Sequence, residues 1–349
     1  MSSHEHIVSI VILDIHSRYI KAGIVGKTLP EIELPINYDI SDEQSTNEFP
    51  PQFEVDDSSL TIKQRQDLVN NLITNISGYK ELTNVYRKCR GNWFDFSSQE
   101  EQPTLIPLLH QTLYSIWNDH LQLTPRTCKV FLIDNEYSIK TKHQISKLLL
   151  EKLKVKSVSF IPGSVLSILG SNRRDGLLLN FDWDGLWIHK IIDLRDIGSV
   201  CMKNLSGKTV HFEIVMKLIE SDSDLNMEFD SIERYIFQSN ETGLRDDVLK
   251  RLFYCNESLL GSIESIVKNS PIDIRSSLIN NIVITGKLSS IPSFKREIIN
   301  SLRKLFPTLH SFPTVGNWPA CSLYLSQVYQ KEEQDWKEIT KDRLSDLYK

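Results

Sequence analysis

The chain has few cysteines, no long apolar run and no excess of basic residues. Its five cysteines among 349 residues show no CxxC spacing, which argues against zinc-ribbon and dithiol motifs and predicts reduced, mostly buried thiols. No apolar stretch approaches the ~18 residues that a membrane-spanning helix needs. The formal net charge of -5 provides no basic field for nucleic acid or an anionic membrane. We therefore expect a soluble intracellular protein without a nucleic-acid or direct membrane partner.

Signals for targeting, metal binding and a P-loop are missing too. Residues 1–6 are polar and run straight into a predicted strand, unlike a signal peptide. The nine histidines include no HExxH and no ligand-like pair apart from the terminal His4 and His6, so no metal site is predicted. Gly207-Lys208-Thr209 imitates the end of a P-loop, but Met202 stands where that motif needs its first glycine.

Strand and helix patterns alternate along the chain. The near-continuous apolar run from Ile7 to Leu13 predicts a buried strand, and Tyr19 to Val25 predicts a second strand that pairs back on it. The same criteria predict strands over 129–134, 155–161, 176–180, 186–192 and 281–285, helices over 104–121, 138–153, 163–170 and 291–306, largely helical structure over 208–268, and a closing helix pair from Pro319 onward. This order of elements predicts an α/β fold.

One early segment breaks this alternation. Residues 30–60 are acidic and aperiodic, and they contain Pro50-Pro51. This composition predicts a minimal small subdomain with exposed loop. A helical pattern follows over 62–77.

The turn between the first two predicted strands carries Asp14, Ser17 and Lys21. A carboxylate, a hydroxyl and a lysine at this spacing suit a hairpin that holds phosphate and magnesium. Such a hairpin needs glycine, because backbone N–H groups must approach the ligand closely. His16 and Arg18 stand beside the serine instead, which predicts that the hairpin has lost part of its chemistry.

A run of lysines marks the helix predicted over 138–153 and the residues after it. The run consists of Lys140, Lys142, Lys147, Lys152, Lys154 and Lys156. Two interpretations stay open, a solvated helix face and a docking patch for an acidic partner.

Several motifs, taken in order, resemble those of actin and the actin-related proteins. The hairpin at Asp14 resembles the first phosphate loop of that family, and Phe160 to Leu169 resembles its helix between two lobes. Asn280 to Gly286 resembles its run into an adenosine-binding glycine pair, and Asn317 to Ser322 its tryptophan-led last lobe-crossing helix. The resemblance implies an actin-like α/β fold, with two RNase-H-like lobes around a nucleotide cleft.

The resemblance also implies the domain boundaries. Residues 1–169 would form the first lobe, with the small acidic subdomain at about 30–60. Residues 170–315 would form the second lobe, and residues 316–349 would return to the first.

Read residue by residue, the resemblance implies a degenerate nucleotide site. The residues that keep nucleotide-contacting places are Asp14, Ser17, Lys21, Asp182 and Gly286. Other places have changed. Gly163 replaces the glutamine that orients the attacking water, Asn180 replaces a metal-holding aspartate, Trp187 replaces a histidine, and Lys287 replaces the second adenosine glycine.

These replacements imply a protein that is not an enzyme and has no catalytic or metal-ligating residue. They imply no required cofactor, and leave weak binding of ATP and magnesium, or none, as alternatives.

Within the family, the chain looks most like the divergent fungal class that caps the pointed end of the dynactin minifilament. This would make it a structural subunit of the dynein cofactor, in the cytoplasm and on the cytoskeleton. The implied partners are the filament-forming actin-related protein of dynactin and other pointed-end subunits. The alternative is an actin-related subunit of a nuclear chromatin-remodelling complex.

Overall fold

The computed structural model describes residues 8–16, 19–35, 102–220, 229–239, 243–328 and 337–348. The helix predicted over 62–77, most of the acidic segment, Ser17, Arg18 and Cys89 lie outside these residues. The described residues divide into two compact units. The first unit takes them from 1–36, 91–174 and 314–349, and the second from 175–313. The changes of unit fall a few residues from the boundaries expected after 169 and 315.

The first unit is built on a mixed sheet. Its strands are β1 (Ser9–Ile15), β2 (Tyr19–Ile24), β3 (Ile32–Pro35), β4 (Cys128–Asp134) and β5 (Ser157–Pro162). They lie in the order β3-β2-β1-β4-β5. Strand β2 runs antiparallel to β1 and β3, whereas β1, β4 and β5 are parallel. The last residues of β1 are all buried, as expected for a central strand covered on both faces.

Three helices of the first unit lie between or directly after these strands in the chain. They are α1 (Gln102–Ser115), which continues as a π-helical segment over Ile116–Leu121, α2 (Ile139–Lys147), which continues likewise over Leu148–Leu153, and α3 (Gly163–Leu169). Ser138 caps α2, because its Oγ accepts the Thr141 N–H at 3.1 Å. The helix ends at Lys154 in a left-handed conformation, with φ 62, the backbone state that commonly stops helices.

The second unit has a sheet of its own. Its strands are β6 (Gly176–Phe181), β7 (Leu186–Ile192), β8 (Arg195–Met202), β9 (Ile282–Thr285) and β10 (Ser311–Phe312). They lie in the order β10-β9-β6-β7-β8. Strand β7 runs antiparallel to β6 and β8, and β6, β9 and β10 are parallel.

Six α-helices accompany this second sheet among the described residues. They are α4 (Gly207–Glu220), α5 (Phe229–Gln238), α6 (Gly243–Leu249), which continues as a π-helical segment over Lys250–Tyr254, α7 (Glu257–Lys268), α8 (Ile272–Asn280) and α9 (Phe294–Arg303). The core between sheet and helices includes Phe181, Phe253 and Phe294, whose rings meet edge to face with centroids 5.1 to 5.6 Å apart. This geometry is the one that aromatic rings prefer.

The two sheets repeat one arrangement. In each, the first three strands form an antiparallel meander, and two later strands add in parallel beside the first strand. No fixed-period repeat is visible in the sequence, so the duplication exists only in the topology.

The last helix, α10 (Asn317–Val328), belongs to the first unit. Trp318 and Leu325 are buried in one core cluster with Ile12 of β1 and Phe131 of β4. Helix α10 is therefore the piece of the late chain that completes the core of the first unit.

The end of the chain covers the edge of β5. Ile339 and Val158 exchange two backbone hydrogen bonds, of 2.8 and 3.0 Å, and residues Lys341–Tyr348 form a 3₁₀ helix. Helix α10 confirms the first member of the predicted closing helix pair, and residues 329–336, which follow it, lie outside the described residues. Pairing at β5 satisfies backbone groups that an edge strand otherwise presents to other chains.

The predicted α/β class and the central strands are confirmed, but β3 and β8 were not predicted. The prediction for 30–60, a minimal small subdomain with exposed loop, did not include the strand at Ile32–Pro35, which pairs with β2. Strand β8 is exposed along most of its length, including Ile197 and Val200. An edge strand open to solvent does not need the apolar alternation by which half-buried strands are recognised.

Among the described residues no disulfide forms, and the cysteine prediction holds only in part. Cys128 and Cys321 are buried, whereas Cys201 is half-buried and Cys255 is exposed. No helix in the described part of the chain combines the length and apolarity needed to cross a membrane.

Candidate functional site

Asp14 is the last residue but one of β1 and is buried among polar side chains of the first unit. Its side chain is 4% exposed, and its Oδ1 lies 2.9 Å from His16 Nε2. Asn135, which directly follows β4, donates its amide N–H to the same oxygen at 2.9 Å. Because β1 and β4 are parallel neighbours, their carboxyl ends bring these residues together.

These neighbours stabilise the ionised form of Asp14. Burial raises the pKa of this carboxyl, but the charge and hydrogen bond of His16, the Asn135 amide and the charge of Lys21 together bring the pKa below its ordinary value. Asp14 is therefore a carboxylate whose Oδ1 already has two protein partners. A magnesium ion or its water shell would have to compete with them.

The turn after β1 is held from the side of β4. Asn135 donates a second hydrogen bond to the Ile15 carbonyl at 3.1 Å, and the Tyr137 hydroxyl donates to that carbonyl as well. Tyr137 is fixed in turn, because its N–H donates to Asp134 Oδ1 at 3.0 Å. The hairpin is thus braced against the loop that follows β4.

Lys21 lies directly opposite Asp14 in the β1–β2 register. Its Nζ is 3.8 Å from Glu33 Oε2 of β3 and 4.6 Å from the centre of the Tyr19 ring. The ring of His16 lies against Tyr19 as well, with centroids 4.5 Å apart. The lysine expected to face phosphate therefore has interactions within its own sheet. Ser17, the third predicted member of this hairpin, lies outside the described residues.

Gly163, at the start of α3, leaves little room for a side chain. A Cβ at this position would lie 3.0 Å from Asn317 Nδ2, 3.1 Å from Asn135 Oδ1 and 3.2 Å from the Asp134 carbonyl. Asn317 in turn accepts a hydrogen bond from Ser167 at 2.5 Å. Two asparagine side chains thus crowd the place where the resemblance expects a water-orienting glutamine.

Asp182 begins the tight turn between β6 and β7 in the second unit. Its Oδ1 accepts the N–H of Trp183 at 2.8 Å, and its own N–H donates to the Gly185 carbonyl at 3.0 Å. A phosphate-binding turn directs such N–H groups at its ligand. Here one of them is used by a carboxylate, which would also repel an anion.

The N-terminus of α4 closes over the same turn. Gly207 N–H donates to the Asp182 carbonyl at 2.9 Å and Lys208 N–H to the Trp183 carbonyl at 3.1 Å. Lys208 Nζ lies 3.4 Å from Asp184 Oδ1. The Trp183 side chain is 2% exposed, and it packs so closely on Gly207 that a Cβ there would lie 3.0 Å from its ring. The turn is thus filled by its own tryptophan.

Gly286 has a structural reason to be glycine. Its φ is +91, and a Cβ would lie 2.3 Å from the Phe181 carbonyl oxygen and 2.6 Å from Asn180 Oδ1. No other residue fits without moving β6. The adjacent Lys287 places its Nζ 5.0 Å from the centre of the Phe237 ring. The residue at the place of the family's histidine, Trp187, pairs with Asn180 across β6 and β7 and stacks on His189, with centroids 5.9 Å apart.

The predicted residues thus form two groups. Asp14 and Lys21 come together in the first unit, and Gly286 lies against Phe181, the residue before Asp182, in the second. Sequence reasoning missed Asn135 and Tyr137, which lie around the first group, and Asn317, which lies beside Gly163. No protein-family model matches the chain, and no curated protein matches it.

Proposed function

We propose that the chain has an actin-like fold and acts as a non-catalytic actin-related structural subunit. The observation that carries the proposal is the duplicated topology, in which two units repeat the same strand order and the same strand directions. An actin-like fold consists of two RNase-H-like lobes and so calls for such a repeat. The motif order in the sequence supports the same assignment.

The loss of catalysis is supported by what fills each hairpin. In the first unit His16 and Asn135 bind the Asp14 carboxylate. In the second unit Asp182 takes the N–H of Trp183, whose side chain is buried under α4. Gly163 supplies no side chain that could orient water. Since losing one positioning or stabilising group costs about 10²–10³ in rate, several such losses together leave no useful turnover.

Within the family we assign the chain to the actin-related protein ten class, which caps the pointed end of the dynactin minifilament. In this role it supports dynein-based microtubule transport and nuclear positioning from the cytoplasm, on microtubule-associated dynactin. Its partners are the filament-forming actin-related protein and other pointed-end subunits. The support is the resemblance of Val158 to Pro162 and of Ser270 to Arg275 to that class, together with the degenerate hairpins.

Helix α10 is the proposed docking face toward the filament. An actin-type subunit joins a filament through the face that bears its last helices. On α10, Trp318 and Leu325 are buried, but Leu323 is 59% exposed and Gln327 is exposed. An exposed leucine beside a polar residue is suited to a contact that forms after the subunit has folded.

The catalytic part of the proposal is tested by phosphate release. Purified protein should release no phosphate from ATP above a blank, with or without magnesium. Magnesium-dependent release that disappears in Lys21→Ala would contradict the proposal. A thermal-shift titration with ATP, with and without magnesium, separates weak binding from none, since a ligand that prefers the folded state raises Tm.

The docking face is tested by co-precipitation with the filament-forming subunit. Leu323→Glu and Gln327→Glu should weaken recovery without changing Tm, because both side chains are exposed. Leu29→Glu is the matched control, since Leu29 is 70% exposed and lies outside α10. If Leu29→Glu abolishes recovery and the α10 variants do not, the protein docks by another face. Affinity purification that returns chromatin-remodelling subunits instead of dynactin subunits would favour the nuclear alternative.

A further inference from the structure

Helix α2 and the residues after it form a positively charged surface that the proposed function does not use. Five of its lysines are exposed, namely Lys140, Lys147, Lys152, Lys154 and Lys156. We call them the lysine surface. None of them forms an ion pair with a described carboxylate. By contrast, the neighbouring Lys142 pairs with Asp134, and Lys129 pairs with Glu338 at 2.7 Å.

The fold turns this surface outward. Lys140 and Lys147 are seven residues apart, close to two turns of an α-helix, so they lie on one side of α2. Lys152, Lys154 and Lys156 are exposed in the π-helical segment and the residues after it, whereas Ile145 and Leu149 are buried. The lysines therefore form a stripe on the exposed side of this segment.

Between residues 139 and 156 the sequence has six lysines and a single acidic residue, Glu151. This segment is therefore positively charged on a chain whose formal net charge is -5. At its N-terminal end lies Ile139, which is 59% exposed.

We propose that the lysine surface binds an acidic segment of a partner protein that carries an apolar side chain. Carboxylates complement the lysines, and the apolar side chain would cover Ile139. Nucleic acid suits the surface less well, because its phosphate backbone offers no apolar group to cover Ile139. The proposal is independent of the function proposed above.

The test uses the full chain and a fluorescein-labelled peptide that alternates glutamate with serine and contains one leucine. Fluorescence anisotropy should show binding that weakens as salt rises, because surface charges are screened. The variant Lys140→Glu/Lys147→Glu/Lys154→Glu should lose affinity by at least about tenfold. The matched control is Lys203→Glu/Lys250→Glu/Lys304→Glu, which changes the net charge equally at exposed lysines elsewhere and should keep most of the affinity.

A second comparison tests the apolar contact. Ile139→Ser should weaken binding of the leucine peptide but leave unchanged a peptide in which serine replaces the leucine. Three results would overturn the proposal. These are no peptide binding at low salt, equal losses in both triple variants, and tighter stripe-dependent binding of single-stranded RNA or phosphatidylserine vesicles than of the peptide.

Discussion

Removal of the His16 imidazole should leave the buried Asp14 carboxylate short of a partner. A hydrogen bond to a buried charged group contributes about 1.5–3 kcal/mol. Asp14 is 4% exposed and His16 is 12% exposed, with 2.9 Å between their atoms, so His16→Ala removes a close partner of a buried carboxylate. Asn135 still donates at 2.9 Å in the variant and offsets part of the loss. We therefore expect His16→Ala to destabilise the protein by about 1–2 kcal/mol, or about 2–8 °C in Tm.

The effect should depend on pH in a definite direction. The pKa of folded Asp14 lies below the unfolded value of 3.8, so its charged form stabilises the folded state above about pH 4. That contribution is lost as pH falls through the folded pKa. The difference between wild type and His16→Ala should therefore be full at pH 6–7 and shrink below about pH 4. Urea denaturation followed by circular dichroism across this range measures it.

Two further variants separate charge from packing. Asp14→Asn/His16→Ala should be more stable than His16→Ala, since the unpaired charge is gone. His310→Ala removes an exposed histidine and should change stability by less than about 0.5 kcal/mol. If His16→Ala and His310→Ala behave alike, or if the double variant is the least stable of all, the description of His16 as the partner of a buried carboxylate is refuted.

Two backbone predictions concern glycine and the left-handed region. Gly286→Ala should lower the free energy of unfolding by at least about 3 kcal/mol in thermal denaturation, since it combines a strained φ with a 2.3 Å approach to Phe181. The control Gly261→Ala, in open space within α7, should stabilise the protein by about 0.5–1 kcal/mol. Equal effects of the two variants would show that the Gly286 backbone can relax. Leu194→Gly should stabilise the β7–β8 turn by about 0.5–1 kcal/mol, because Asp193 and Leu194 have φ values of 49 and 56 and glycine adopts them without strain. Leu194→Ala should give no gain, and an equal gain from alanine would contradict this account.

The sequence predicted those strands that are buried on both faces, because such strands have a continuous run of apolar residues. Strands β1, β4 and β6 are of this kind. Strand β8 was missed because its exposed residues carry no period, and β3 because four residues beside an acidic stretch give too short a signal. The duplicated topology has no counterpart in residue identity, since the two sheets share strand order and not side chains.

The candidate site was predicted at its charged members and missed at its neutral ones. Asp14 and Lys21 have the spacing of a phosphate- and magnesium-binding hairpin, whereas a single asparagine after a strand, such as Asn135, predicts no function. The sequence nevertheless contained one signal that could have located Asn135. Asn135 directly follows β4, and parallel neighbouring strands end at the same edge of a sheet. His16 was recognised as a departure, but only the coordinates place its ring on the Asp14 carboxylate.

The return of α10 to the first unit has a consequence for the order in which the chain is made. Residues 175–313, which carry the described part of the second unit, leave the ribosome before α10 does. The second unit can therefore bury its core during synthesis, whereas Ile12 and Phe131 are not fully buried until Trp318 has been synthesised. At translation rates of about 5–20 residues per second, β5 precedes α10 by roughly 10–30 s. During that interval the nascent first unit exposes the apolar surface of Ile12 and Phe131 that α10 later covers.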